Sequence, residues 1–259
     1  MYWRKQKYAK RGQCNLCGET ADLTWDHVPP QACGNRSPTQ HLGLTQFLSG
    51  QELAQGQISQ NGNKYRTLCG HCNSTMGRLY DNQLAEFVLR VRDSIERPPL
   101  VGREIAIECQ PGAIARAVVG HLVAAQMPGP GSAFDGLAKQ FLLDPTKALP
   151  SNLYFHTWIH VFDTTTVIRD SAILSNDDAV VCQVLSFYPL GFIVTQDSPL
   201  ESVPGFSVDS TVPWDGEGII SLSLDPIYPD GWPWHPTFSK ILFGGEALQT
   251  SRRVSSSSR

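Results

Sequence analysis

The spacing of hydrophobic residues predicts short strands and helices in succession along the chain. Near the N-terminus, Leu23 to His27 and Tyr65 to Leu68 read as two short strands. A helix is predicted after the second strand, because apolar residues recur there on one face, with charged residues on the others: Leu79, Leu84, Phe87, Val88 and Val91. The first third of the chain therefore predicts the order strand, strand, helix.

The remainder of the chain predicts a mixture of helices and strands. Ile105 to Cys109 alternates as a strand, and helical apolar stripes run over Ala113 to Gln126 and Phe134 to Leu143. The strand-like segments that follow are Tyr154 to Phe162, Thr165 to Leu174, Ala179 to Val194 with a break near Pro189, and Ile219 to Leu224. We expect the α+β fold class, with a small N-terminal unit ahead of a mixed α+β unit.

Proline and low-complexity segments set the predicted boundaries. Arg97-Pro98-Pro99 breaks the helical pattern, so we expect a first unit over 1–97 and a second over 98–250. An insertion rich in Gln, Gly, Ser and Asn follows Pro30, and its centre, Thr45 to Gln55, predicts a helix. The serine-rich tail over 251–259 is expected to be disordered.

The bulk composition is that of a globular protein. The chain has 259 residues, of which 41% are hydrophobic and 17% charged, and two domains are the favoured interpretation. A net charge of −3 excludes a surface of uniformly positive potential, so nucleic-acid contact needs a local basic patch. With no apolar run near the roughly twenty residues that span a bilayer and no apolar core of a secretory signal, we expect a cytoplasmic protein without membrane contact.

A basic patch lies at the N-terminus, where cations alternate with Tyr2, Trp3 and Tyr8. Its cationic members are Arg4, Lys5, Lys7, Lys10 and Arg11. Cations with interleaved aromatic rings suit phosphate contact and base stacking, so the patch predicts nucleic-acid binding. A solvated, frayed chain end is the alternative interpretation.

Four of the seven cysteines form two Cys-x-x-Cys pairs. The pairs are Cys14 with Cys17 and Cys69 with Cys72, and their spacing is typical of a tetrahedral four-thiolate zinc centre. The other cysteines, which are expected to be small, partly buried hydrophobic residues without a disulfide framework, are Cys33, Cys109 and Cys182.

Candidate catalytic chemistry lies between the pairs, in Thr24-Trp25-Asp26-His27-Val28-Pro29-Pro30, and in Asn73 after the last cysteine. A neutral imidazole at His27 can act as a general base near pH 7. Asp26 and Asn73 offer the oxygen ligands that suit Mg²⁺ or Mn²⁺. Strand neighbours point to opposite faces, so Asp26 and His27 line one pocket only if the following prolines turn the strand end.

These motifs resemble the HNH endonuclease family in its zinc-stabilised ββα-metal form, over about the first third of the chain. The resemblance implies that His27 is the general base, that Asp26 and Asn73 bind a catalytic Mg²⁺ or Mn²⁺, and that the cysteines bind a structural zinc. The final family histidine is replaced by Asn73, as in H-N-N variants, and Lys64 occupies the place of the central asparagine. Its neighbour Asn63 is the candidate for holding the His27 imidazole.

The arrangement of the two units also resembles bacterial antiphage defence effectors with an N-terminal HNH nuclease. It implies a nuclease that cuts DNA under the control of a nucleotide second messenger or a protein activator, and homo-oligomers are a further expectation. A non-catalytic zinc-ribbon protein that binds nucleic acid is one alternative. A ligand-sensing adaptor whose zinc unit only assembles oligomers is another.

Several candidate residues also have structural interpretations. Asn73 is a favoured residue type for capping the helix that follows, and His27 can pack within a zinc ribbon without catalytic work. The face formed by His156, Trp158 and His160 on one strand suits a ligand site, but we favour a half-exposed sheet face.

Overall fold

A computed structural model of the chain describes residues 9–43, 57–97, 103–125, 132–175, 178–200, 205–206, 208, 213–224, 240–242 and 248–253. The fold is mixed α+β, as the sequence predicts. The described strands are β1 (Arg11–Gln13), β2 (Thr20–His27), β3 (Thr39–Gly43), β4 (Gln57–Ser59), β5 (Lys64–Cys69), β6 (Glu104–Cys109), β7 (Leu153–Ile159), β8 (Thr164–Ser175), β9 (Asp178–Phe187), β10 (Leu190–Gln196), β11 (Gly205–Phe206), β12 (Gly218–Ser223), β13 (Lys240–Leu242) and β14 (Leu248–Arg253).

The described helices confirm the helical predictions to within a few residues. They are α1 (Gly70–Met76), α2 (Asn82–Glu96), α3 (Pro111–Ala124) and α4 (Ala133–Leu142), with a π-helical turn (Gly77–Asp81) joining α1 to α2 and a 3-10 turn at Gln31–Cys33. The helix predicted over Thr45 to Gln55 lies outside the described residues. Of the predicted tail, residues 251–253 belong to β14, and 254–259 lie outside the described residues.

The described strands form a small antiparallel sheet, a large sheet and a two-stranded ribbon. The small sheet has the order β1-β2-β5, and the ribbon pairs β12 with β6. The large sheet has the order β11-β7-β10-β9-β8-β14-β3-β4, with β13 also paired to β8. Strands β3 and β4 precede residue 97 and reach the later strands through β14, so strand pairing crosses the predicted domain boundary.

The hydrophobic core crosses the same boundary. One continuous cluster includes Leu68 and Val88 from the N-terminal side together with Ile114, Phe141 and Phe192 from the C-terminal side. At its centre lies α3, whose residues after Pro111 are all buried. A helix that is apolar on every side can only be an interior element, and α3 is packed between the small sheet and the large one.

The C-terminal end of α3 is held by side chains from other elements. The last carbonyl groups of a helix lack the amide partners that the next turn would supply, so buried ones need donors from elsewhere. Asn15 Nδ2 donates to the Val123 carbonyl at 3.1 Å, and Thr67 Oγ1 donates to the Ala124 carbonyl at 2.5 Å. Both donors come from the N-terminal unit, so these bonds fix α3 against it.

Arg169 on β8 supplies the third donor and is fully buried. Its guanidinium donates to the Leu122 carbonyl, to Gln183 Oε1 at 2.9 Å and to Asp135 Oδ1 at 2.7 Å. Asp135 also completes the capping box at the start of α4 with Ser132. This buried ion pair therefore joins the large sheet to both α3 and α4.

The residues His156 and Trp158 on β7 and His160 just after it are all buried, which corrects the expectation of a half-exposed sheet face. Strand β7 lies between β10 and β11, and His156 Nε2 accepts a hydrogen bond from the Leu200 amide at 3.2 Å. Burial lowers the pKa of His160 to about 4, so this ring is neutral near pH 7. These residues are core packing.

We expect the substitution Arg169→Met to destabilise the fold by about 3–5 kcal/mol, because it leaves Asp135 charged and buried without its partner. Urea unfolding followed by circular dichroism measures the change. The matched control is Arg11→Met, whose ion pair with Asp22 is exposed and should leave the midpoint nearly unchanged. Equal midpoints for the two variants would contradict a structural role for the buried pair.

Candidate metal centre and active site

The small sheet and α1 bring the four paired cysteines together. Cys14 and Cys17 lie in the turn after β1, Cys69 ends β5, and Cys72 lies in the first turn of α1. Their Sγ atoms all lie within 4.8 Å of one another, and those of Cys17 and Cys69 are 3.9 Å apart. Four sulfurs bound at about 2.3 Å in a tetrahedron lie about 3.8 Å apart, so the cluster fits a metal ion such as Zn²⁺.

Hydrogen bonds within the cluster favour negative charge on sulfur. The Cys69 amide donates to Cys14 Sγ at 3.3 Å, and the Cys72 amide donates to Cys69 Sγ at 3.5 Å. The hydrogen bond from the Cys72 thiol lowers the pKa of Cys14 to about 4, and the same bond raises the pKa of Cys72. Four sulfurs at this spacing can all be thiolates only if a cation neutralises them.

The remaining cysteines lie elsewhere and are at least partly buried, as predicted. Burial raises the pKa of Cys109 to about 11 and that of Cys182 to about 12, and it also raises the pKa of Cys33. Their thiols are therefore protonated near pH 7 and behave as small hydrophobic groups.

The imidazole of His27, at the end of β2, contacts the turn that precedes β5. Its Nε2 lies 2.9 Å from the Asn61 carbonyl oxygen. A carbonyl oxygen only accepts, so Nε2 carries the hydrogen and the lone pair of the neutral ring is on Nδ1. Burial, followed by the charge of Lys64, lowers the pKa of His27 below its ordinary value of 6.5. The ring is therefore neutral near pH 7.

The carboxylate of Asp26 points away from His27, into the interior. Its Oδ2 lies 3.6 Å from Nδ1 of His121 on α3, and Nε2 of His121 lies 3.1 Å from Asp81 Oδ1 in the π-helical turn. Burial alone would lower the pKa of His121, but Asp81 and Asp26 outweigh it and raise that pKa to about 10. A buried Asp–His–Asp chain thus links β2, α3 and the π-helical turn.

Asn73, in the second turn of the helical segment after Cys69, is tied to β2. Its Nδ2 donates to Thr24 Oγ1 at 3.0 Å and to the Trp25 carbonyl at 3.1 Å. Its Oδ1, the atom that would bind a cation, takes no part in these two bonds. The N-cap of α1 is Cys69, so the helix-capping interpretation of Asn73 is wrong.

Asn63 is buried and holds the backbone instead of the His27 ring. Its side-chain Nδ2 donates to the Val28 carbonyl at 3.1 Å, and its backbone N–H donates to Asn35 Oδ1 at 2.7 Å. Asn35 Nδ2 in turn donates to the Pro29 carbonyl at 2.6 Å. These bonds fix the turn before β5 against the end of β2, which places the Asn61 carbonyl next to His27.

A second group of aromatic and basic side chains lies on the outer face of the small sheet, beside His27. The ring of Trp25 is 44% exposed, and it lies 5.3 Å from Lys64 Nζ and 5.7 Å from the Arg66 guanidinium carbon. Of the predicted basic patch, Lys10 and Arg11 are exposed, and Arg4, Lys5 and Lys7 lie outside the described residues. Trp25, Lys64 and Arg66 are called the outer-face patch below.

Two residues of this region, His121 and Asp81, carry no signal in the sequence. His121 lies within an apolar helical stripe, where a single histidine reads as core, and Asp81 reads as one polar residue on a helix surface. The close approach of α3 to α1 brings them together, because a Cβ at Gly120 would collide with Cε of Met76. A larger residue at position 120 would therefore require the end of the Met76 side chain to move.

Comparisons with protein-family models, with curated proteins and with solved structures find no match to this chain. Among the described helices, none has the length and apolar character that crossing a bilayer requires.

We expect Cys14→Ser and Cys72→Ser to abolish zinc binding and to unfold the small sheet, because metal binding supplies folding free energy to such sites. Zinc content by mass spectrometry and the loss of structure by circular dichroism measure both effects. Cys109→Ser is the matched control, since this thiol lies outside the cluster and should leave the zinc content unchanged. A folded, zinc-free Cys72→Ser protein would show that the metal is dispensable.

Proposed function

We propose that this protein is a divalent-metal-dependent endonuclease of the zinc-stabilised ββα-metal type, with DNA as its substrate. The proposal rests on the order of elements in the small sheet, β2, β5 and α1, joined by the cysteine cluster, and on the Asp26-His27 pair at the end of β2. The same order and residues carry the sequence resemblance to the HNH endonucleases.

The observation that carries the proposal is the state of His27. A histidine that acts as a general base must be neutral at the working pH. It must also keep one ring nitrogen lone pair that is not used in the hydrogen bond that holds the ring. The Asn61 carbonyl holds Nε2–H, and the lowered pKa keeps the ring neutral, so Nδ1 is ready to take a proton from water. His27 is only half-buried, which leaves a path for water and a phosphodiester.

The outer-face patch supports a nucleic-acid substrate. Trp25 and His27 are two positions apart on β2, and Lys64, which pairs with His27, also contacts the Trp25 ring, so both side chains lie on one side of the strand. An exposed indole flanked by Lys64 and Arg66 combines a stacking surface with cations that attract phosphate. Because the net charge of the chain is −3, binding would concentrate on this face rather than spread over the surface.

The catalytic ion, Mg²⁺ or Mn²⁺, would stabilise the charge that develops on the phosphate and on the leaving oxygen. Asp26 offers it a carboxylate one residue before the end of β2, so the ion could meet a phosphate bound beside His27 only at this strand end. The zinc cluster would have a separate task, which is to hold β5 and α1 at a fixed distance from β2.

The proposal includes control of cleavage by the C-terminal part of the chain, as in antiphage defence effectors. Helix α3 belongs to that part and contacts Asp26 through His121, so a small displacement of α3 would change the surroundings of the carboxylate. A nucleotide second messenger or a protein partner that binds the C-terminal part could act through this contact.

We expect the wild-type protein to nick plasmid DNA in the presence of Mg²⁺ or Mn²⁺ and not after chelation with EDTA. His27→Ala should lower the rate about a hundredfold or more, the range for loss of a positioned general base, with zinc content and folding retained. His71→Ala is the matched control, because this histidine is exposed. Zinc-loaded wild type without metal-dependent nicking would instead favour a non-catalytic zinc-ribbon protein.

The pH dependence of nicking tests the same residue. Protonated His27 cannot accept a proton, so activity should be present above its pKa and lost as the pH falls through it, with a midpoint below 6.5. Lys64→Gln removes a neighbouring positive charge and should move this midpoint to higher pH. Rates at saturating DNA over pH 4.5–8 measure the shift, and an unchanged midpoint would remove His27 as the titrating group.

A further inference from the structure

We propose that Asp26 and His121 bind a divalent cation between them, and that Asp81 holds the imidazole in the orientation for binding. His121 lies outside the strand–strand–helix motif, so the ion would be bound jointly by the N-terminal unit and by α3. This inference rests on the proposed function only in its identification of the bound cation as the catalytic one.

The distance between the two groups suits a shared cation better than a hydrogen bond. His121 Nδ1 is 3.6 Å from Asp26 Oδ2, beyond hydrogen-bonding distance, and Nδ1 has no hydrogen-bond partner among the described residues. Two ligand atoms at about 2.1 Å from one ion lie about 3.0–3.5 Å apart in octahedral or tetrahedral geometry. A small adjustment of either side chain therefore admits an ion.

Burial strengthens this interpretation. The His121 side chain is only 3% exposed, and a polar atom that is buried without a partner costs free energy. The Asp26 side chain is 11% exposed and that of Asp81 is 23% exposed, so solvent reaches the two carboxylates more than it reaches the imidazole. Water or a phosphate oxygen can complete the coordination.

The contact between His121 and Asp81 has the form expected behind a metal-bound histidine. Such a histidine donates its other ring N–H to a carboxylate or carbonyl, which fixes the tautomer and leaves the ligand nitrogen unprotonated. His121 Nε2 lies 3.1 Å from Asp81 Oδ1, so a hydrogen donated there leaves Nδ1 as the nitrogen that faces Asp26, and the cation would take the place of a proton on Nδ1. Asp81 is thus a positioning residue.

The π-helical turn places Asp81 for this role. A π-helical turn contains one residue more than an α-helical turn. Asp81 is eight positions after Asn73, but because of the extra residue it lies about where the seventh residue after Asn73 would lie in a regular α-helix, two turns further along. Its Oδ2 lies 3.6 Å from where a Cβ of Gly77 would be, so the carboxylate leans back over the helix towards α1. π-helical turns are frequent at functional sites.

The donor set also predicts which cation binds better. A site with one imidazole and one carboxylate favours a transition-metal ion such as Mn²⁺ over Mg²⁺, which prefers oxygen ligands and keeps most of its water. We therefore expect the protein to bind Mn²⁺ more tightly than Mg²⁺.

The test is a titration of the zinc-loaded full-length protein with Mn²⁺, followed by the EPR signal of free Mn²⁺. Pulsed EPR of the bound ion then detects coupling to an imidazole nitrogen. We expect one Mn²⁺ per chain with nitrogen coupling. His121→Gln should weaken binding tenfold or more and abolish the coupling, whereas Asp81→Asn should weaken binding 10–100-fold and retain it. His71→Gln, at an exposed histidine, should match wild type.

Wild-type protein without Mn²⁺ binding, bound Mn²⁺ without nitrogen coupling, or unchanged affinity in His121→Gln would each overturn the proposal and leave a buried ion pair only. If circular dichroism shows that His121→Gln does not fold, the nitrogen coupling of the wild-type protein and the Mn²⁺ affinity of Asp81→Asn test the proposal instead. Mn²⁺ binding that needs His121 in a protein that does not cut DNA would retain the cation site and remove the nuclease. DNA cutting by a protein whose Mn²⁺ binding does not depend on His121 would retain the nuclease and remove this cation site.

Discussion

A helix buried in an apolar interior must find donors for its last carbonyl groups, and this requirement organises the protein around α3. Asn15 and Thr67 satisfy two of these carbonyls from the N-terminal side, and Arg169 satisfies another from the large sheet. Losing Thr67 or Arg169 would remove a hydrogen bond from a buried acceptor, which costs free energy. The same contacts hold the small sheet and the large sheet at a fixed position on either side of the helix.

Because α3 is fixed in this way, it brings chemistry to the small sheet as well as packing. Gly120 allows α3 to approach Met76 of α1, and the next residue, His121, then reaches both Asp26 and Asp81. His121 is buried and Asp26 is nearly so, and therefore the charges of this polar chain interact strongly with one another. The two parts of the chain therefore share one interior in addition to one sheet.

Strand β2 separates two kinds of surface within three consecutive residues. Trp25 and His27 are directed to the outer face with Lys64, and Asp26 is directed to the interior with His121. Successive side chains of a strand alternate between its faces, and this alternation is kept here although the pairing of β2 with β5 is irregular between Thr24 and Asp26. In the proposed nuclease, the outer face would meet the nucleic acid and the inner carboxylate would bind the cation, and the two would have to meet at the end of β2.

The sequence by itself determined the local elements and the cysteine cluster. Two Cys-x-x-Cys pairs, the alternation in β6 and the apolar stripe of α3 depend on neighbours a few residues apart, so their spacing is visible in the chain. The sequence also indicated Asp26, His27 and Asn73 as candidates, and their catalytic roles stay predictions.

Only the tertiary structure decided which groups these candidates contact. His121 lies 95 positions after Asp26, and nothing in an apolar helical stripe shows which side chain it will face. The Asn61 carbonyl is a backbone atom, so no residue type reveals that it anchors His27, and the Asn63 side chain that the sequence favoured binds backbone instead. Such contacts depend on how α3 and the turn before β5 pack, because long-range packing sets distances that local spacing does not encode.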